Sequence, residues 1–160
     1  MAVAELSENR VEERLAALEE TYESFPINQT TLSVSASAYE RARDRCSEGL
    51  VDVYVQVYAD DGDVLLVEGD GEWVVPHAQP PVTERLERGA RREIAERTGV
   101  DCEIDDLDRI TILGVRHEDA PDRDPVYRLV TVFSAEYRRG TPGPGAAWRS
   151  ELPDSALPTY

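Results

Sequence analysis

The sequence predicts an α/β domain built on a mixed sheet, and three observations carry that expectation. Val51, Val53, Val55 and Val57 alternate with Asp52, Tyr54, Gln56 and Tyr58, the period-two pattern of a strand with one buried face. The turn Asp60-Asp61-Gly62-Asp63 joins this run to a second extended stretch, Val64 to Val67, as a hairpin. Further on, Leu86, Ala90 and Ile94 stand at helical spacing in a segment that runs from Thr83 to Thr98 and stops at Gly99. Strands around one central helix, with a hairpin leading into it, argue for a compact layered domain. At 160 residues, 41% of them hydrophobic, the chain suits one domain with a sizeable core.

The elements follow in order. Ser7 is placed to cap a helix running to about Tyr22, whose Val11, Leu15, Leu18 and Tyr22 form one apolar face. Phe25, Pro26 and Asn28 end it, and residues 30–34 suit an extended conformation. Residues 36–46 suggest a second short helix, closed by Gly49. Residues 1–49 are therefore an N-terminal helical extension, packed on the main domain or used for self-association, and residues 50–160 are the main domain. After the hairpin, Gly69-Asp70-Gly71 turns the chain into Trp73-Val74-Val75, and a proline-broken loop, Pro76 to Val82, leads to the central helix. Ile110 to Val115 and Val126 to Ala135 suit strands on either side of an acidic loop, Arg116 to Pro125. Thr141 to Gly145 is a Pro/Gly linker, and Trp148 to Ala156 suits a terminal turn or short helix. The chain contains no repeats.

Charge narrows the function classes. Asp and Glu number 33 against 17 basic residues, all of them arginine, for a net charge of −16. Long-range repulsion then opposes binding to nucleic acid or to an anionic membrane. The carboxylates are scattered among arginines rather than gathered in a tail, a pattern suited to molar salt, where screening confines repulsion to a few ångströms. Cys46 and Cys102 stand without metal-ligand or redox spacing, as buried thiols in a reducing interior would. The N-terminus lacks the layout of a signal peptide and no stretch reaches membrane-spanning length, so a soluble, cytoplasmic protein is expected.

The central helix carries the chemistry. Glu84/Arg88, Glu87/Arg91, Arg92/Glu96 and Glu93/Arg97 are each four apart and could form a solvated ladder of ion pairs. Glu93 and Arg97, however, fall on the same side as Leu86 and Ala90, where charge is costly unless paired or coordinated. That end of the helix holds a buried Glu–Arg pair or lines a site.

From Ala78 to Val100 the chain aligns without a gap to the signature box of the Nudix family, matching at Glu84, Arg92, Glu93, Ile94, Glu96, Gly99 and Val100. The approach Trp73-Val74-Val75-Pro76, the hairpin before it and Trp148 near Leu152-Pro153 are also similar in placement, so the resemblance covers residues 50 to 155. It implies a Nudix-like α/β/α sandwich with a mixed sheet, extended here by the N-terminal helices. It implies hydrolysis of a nucleoside diphosphate linked to another group, with Mg²⁺ or Mn²⁺ neutralising phosphate charge and activating water. Glu93, Glu96 and Arg92 would be the catalytic group. Glu93 and Glu96 would be the metal-site carboxylates, since hard divalent ions take oxygen ligands. Glu84 would support Arg92 by pairing with it, and Gly99 would close the helix. The partner would be a small nucleotide-like substrate, with Tyr54, Tyr58, Trp73 and Tyr127 available for stacking and a homodimer compatible with the N-terminal apolar positions.

Two positions depart from the pattern. Arg97 replaces a glutamate that usually binds the metal directly, and a guanidinium neither coordinates a cation nor tolerates one nearby. His77-Ala78 replaces the usual Gly-Gly, whose freedom lets a carbonyl approach the metal. His77 could itself bind a softer metal, although a lone histidine is weak evidence for that. The loop bearing His117, Glu118, Asp119, Asp122 and Asp124 could supply oxygen ligands from outside the box; solvated acidic loops are also common throughout this chain. Two expectations follow: a Nudix-type hydrolase, weakened by its degenerate box, or a catalytically lapsed Nudix module that binds a nucleotide-like ligand or a protein partner and is held together by Glu93–Arg97.

Overall fold

The computed structural model of the protein describes residues 3–46, 51–81 and 84–158. In chain order the elements are α1 (Val3–Thr21), β1 (Ile27–Val34), α2 (Ala36–Cys46), β2 (Asp52–Tyr58), β3 (Val64–Glu68), β4 (Trp73–Val74), β5 (His77–Ala78), α3 (Leu86–Thr98), β6 (Val100–His117), β7 (Val126–Gly140), β8 (Ala146–Arg149) and a 3₁₀ turn, Asp154–Ala156. Among the described residues no helix is long and apolar enough to cross a membrane.

The described strands form one mixed sheet of eight. Its order is β1-β6-β7-β2-β3-β4, with β5 paired to β2 and β8 to β3. β1 runs parallel to β6 and β2 parallel to β7, while β6 and β7 are antiparallel. The alternation in β2 does what its pattern predicts. Val53, Val55 and Val57 are buried against Leu86, Ala90 and Ile94 of α3, together with Val11 and Leu18 of α1 and Leu129 and Phe133 of β7. Residues of the other parity point to the opposite face, because successive side chains on a strand alternate. There Leu113, Val115 and Val126 lie under Tyr39 and Ala42 of α2, and Val64 and Leu66 lie under Ala156 of the 3₁₀ turn. Helices cover both faces, and the architecture is the expected α/β/α sandwich with a mixed sheet.

Several local expectations change. Ser7 is not a cap: α1 starts at Val3, and the buried Ser7 hydroxyl accepts the Tyr127 N–H at 2.9 Å. Residues 27–34 extend further than expected and enter the main sheet, so the N-terminal segment supplies a strand as well as helices. β6 reaches 18 residues where apolar patterning marks only its second half. Asp101, Glu103, Asp105, Asp106 and Asp108 hide the first half, where register shifts absorb the irregular alternation and Val100, Cys102 and Leu107 turn fully inward. At the C-terminus, β8 pairs with β3 before the chain makes its short 3₁₀ turn. Helix α3 begins at Leu86, after Glu84 and Arg85; Thr83, like Gly49, lies outside the described residues. The Cys102 thiol is buried, as expected, and burial pushes its pKa up to about 11.

Candidate functional site

The site forms where the C-terminal turn of α3 meets β5 and the loop after it. Gly99 ends the helix at φ 80°, its N–H bonded to the Ala95 carbonyl. A Cβ there would stand 2.9 Å from the Thr141 carbonyl oxygen, so crowding as well as backbone angle demands glycine. Thr98 tightens the same turn, donating to the Ile94 carbonyl at 2.7 Å and accepting the Val100 N–H at 3.1 Å.

Arg92 donates to both oxygens of Glu84, at 2.7 Å from Nη2 and 3.3 Å from Nε. This two-pronged pair lowers the Glu84 carboxyl and raises the Arg92 guanidinium relative to their ordinary pKa values. Arg92 also lies 3.7 Å from Glu96, an otherwise solvated carboxylate with 64% of its side chain exposed. The packing that admits Glu84 depends on Gly89. A Cβ at Gly89 would come within 2.4 Å of Pro80 Cβ and 2.8 Å of Glu84 Oε1.

Glu93 and Arg97 do not pair with each other. Arg97 Nη1 instead donates to the His77 carbonyl at 2.5 Å. Glu93 Oε1 accepts the Gln79 N–H at 3.3 Å, and Glu93 Oε2 is buried with no hydrogen-bond partner among the described residues. The i, i+4 expectation failed because a third group, the β5 backbone, lies within reach of the guanidinium. Arg14 of α1 holds the same loop from the far side, donating to the Pro81 and Glu84 carbonyls at 3.2 and 3.3 Å.

A second layer lies under β5. Asp52 Oδ2 accepts both Nε and Nη2 of Arg128, at 2.9 and 2.7 Å. Its Oδ1 accepts Gln79 Nε2 at 2.7 Å and lies 3.1 Å from His77 Nε2. Burial pushes the Asp52 carboxyl up, but the bonds from His77, Arg128 and Gln79 outweigh it and bring the pKa down to about 2. The His77 ring is stacked on Tyr54, centroids 4.7 Å apart and planes 21° apart. Asp52 thus clamps the side chains of His77 and Gln79, whose backbones serve Arg97 and Glu93. Asp52 and Arg128 are functional candidates that sequence patterning misses: Asp52 is one more outward position on an alternating strand, and Arg128 lies 76 residues away.

Ala78 pairs with Val53 and is buried, so the second of the replaced glycines has become a core residue. The acidic loop goes elsewhere. His117 Nδ1 accepts the Asp119 N–H, the Glu118 N–H bonds the Val34 carbonyl, and Arg123 reaches Glu40 of α2 at 2.8 Å. Among the described residues no three His, Cys, Asp or Glu side chains gather into a group able to hold a metal ion.

No family model matches the chain, and no curated protein matches it. Solved structures do. The Mutator MutT protein from Bacillus halodurans is 21% identical over 62% of this chain and 67% of its own, with a TM-score of 0.51. A NUDIX hydrolase from Nitrosomonas europaea is 21% identical over 68% of this chain, TM-score 0.48, and the match spans only 60% of that longer chain. An ADP-ribose pyrophosphatase from Streptococcus suis is 21% identical over 65% of this chain and 77% of its own, TM-score 0.49. The Bacillus structure carries the comparison, and at that identity it bears on the fold: the chain has the Nudix fold.

Proposed function

We propose that this is a Nudix-fold module that binds a nucleotide-like ligand without hydrolysing it by metal-dependent chemistry, residues 50–160 forming the Nudix-like domain and residues 1–49 its extension. The observation that carries this reading is the hydrogen bond from Arg97 to the His77 carbonyl. That carbonyl corresponds to the one which, by resemblance, would approach Mg²⁺ or Mn²⁺, and a guanidinium already serves it. Of the other oxygen donors, Glu93 Oε1 is engaged by Gln79 and Glu96 lies in solvent beside Arg92. Two carboxylates flanked by two arginines do not fit a divalent ion, which would meet both repulsion and too few ligands.

Ligand binding is supported by what surrounds this closed seat. The Tyr54–His77 stack offers a π surface on the sheet face opposite the main α3 contacts, backed by the Asp52–Arg128 pair. The net charge of −16 works against nucleic acid as an alternative partner. A second reading, a weak hydrolase, is favoured by one observation: the buried Glu93 Oε2 has no hydrogen-bond partner among the described residues, which leaves one carboxylate oxygen of the box unused by the fold.

The test is a panel of nucleoside diphosphate derivatives in molar KCl with Mg²⁺ or Mn²⁺. Binding is followed by calorimetry, and cleavage by phosphatase-coupled phosphate release. Heat of binding without cleavage is the expected result. Cleavage that disappears in Glu93→Gln would establish the hydrolase instead.

A further inference from the structure

Residues 24–39 form the longest run without a charged residue in a chain of which 31% is charged. Its centre, Ile27-Asn28-Gln29-Thr30-Thr31-Leu32-Ser33-Val34, is β1, and β1 is the terminal strand of the sheet. Edge strands ordinarily carry charge, proline or a bulge, or are kept short, because an open ladder recruits another strand. β1 is eight residues long, regular throughout its pairing with β6, and has none of these devices.

The ladder also shows which groups are open. The Pro26 carbonyl accepts the N–H of Ile110 in β6 and the Val34 carbonyl that of Glu118 just beyond its end, so even-numbered residues direct their backbone toward β6. The N–H and C=O of one strand residue point the same way, which turns those of Ile27, Gln29, Thr31 and Ser33 to the outer edge. Ile27 and Leu32 are 48% and 38% exposed, two of the four large hydrophobic residues exposed among those described.

We propose that β1 pairs antiparallel with β1 of a second copy, about a two-fold axis, to give one continuous sheet across a homodimer. A second copy is the partner that the charge distribution fits. Two molecules at −16 repel each other over most of their surfaces, and this uncharged edge lets backbones meet without placing carboxylates together. An antiparallel two-fold also makes the patch its own complement, as a closed isologous dimer requires. The proposal does not rest on the ligand-binding reading.

Sedimentation velocity in molar KCl tests it on the full chain. The wild type is expected at twice the 17.9 kDa chain mass. Gln29→Pro and Thr31→Pro each delete an outward N–H while leaving the bonds to β6, and both should sediment as monomers with unchanged far-UV circular dichroism. Leu32→Arg, at an exposed side chain, should weaken the dimer by placing in the seam a charge that pairing would have to desolvate, and serves if either proline variant misfolds. A wild type that stays monomeric throughout the micromolar range overturns the proposal, and so do folded variants that remain dimeric.

Discussion

Asp52 is the residue on which the geometry of the site converges. It holds Arg128 with one oxygen and Gln79 and His77 with the other, with only 15% of its side chain exposed. Removing its charge strands a guanidinium that is 11% exposed, so Asp52→Asn should cost about 3 kcal/mol in denaturant unfolding, the range for breaking a buried pair. The pH dependence has a definite sign. The folded pKa, about 2, lies below the ordinary value of 3.8, so the contribution is full above pH 3.8 and disappears as pH falls through 2. It amounts to about 2 kcal/mol, and the Asn variant should show a correspondingly flatter stability profile over that window. Little of this was legible beforehand. The box residues announce themselves by spacing along one helix, whereas Asp52, His77 and Arg128 come together only through strand pairing across distant segments.

At the level of the element, α3 was legible because its apolar stripe and terminal glycine are both local signals. Its start was not, since Glu84 folds back onto Arg92 instead of joining the first turn. A glycine inside a helix ordinarily weakens it; in the structure Gly89 is the gap through which Pro80 and Glu84 approach. Gly89→Ala would raise helix propensity, yet it should destabilise the protein by about 1–3 kcal/mol through overpacking. The Glu84–Arg92 pair should also separate, and the loss should be recoverable by trimming Pro80 to Gly; denaturant unfolding of the single and double variants measures both effects. β6 shows the opposite limit: five acidic residues conceal a strand whose identity depends on its partner β7.

For the whole molecule, the sandwich follows from patterns that single segments carry: valine alternation, a hairpin turn and one amphipathic helix. The role of the N-terminal segment does not, because β1 becomes a strand by pairing with β6 more than 80 residues away. The central claim is that the Nudix scaffold persists while Arg97 supplies the cation of its box. Mn²⁺ titration followed by electron paramagnetic resonance, in molar KCl, tests this most directly. Wild-type protein should leave Mn²⁺ free, and Arg97→Glu should bind one equivalent in a manner lost on further Glu93→Gln substitution. Mn²⁺ bound by the wild type and released by Glu93→Gln alone would contradict the claim.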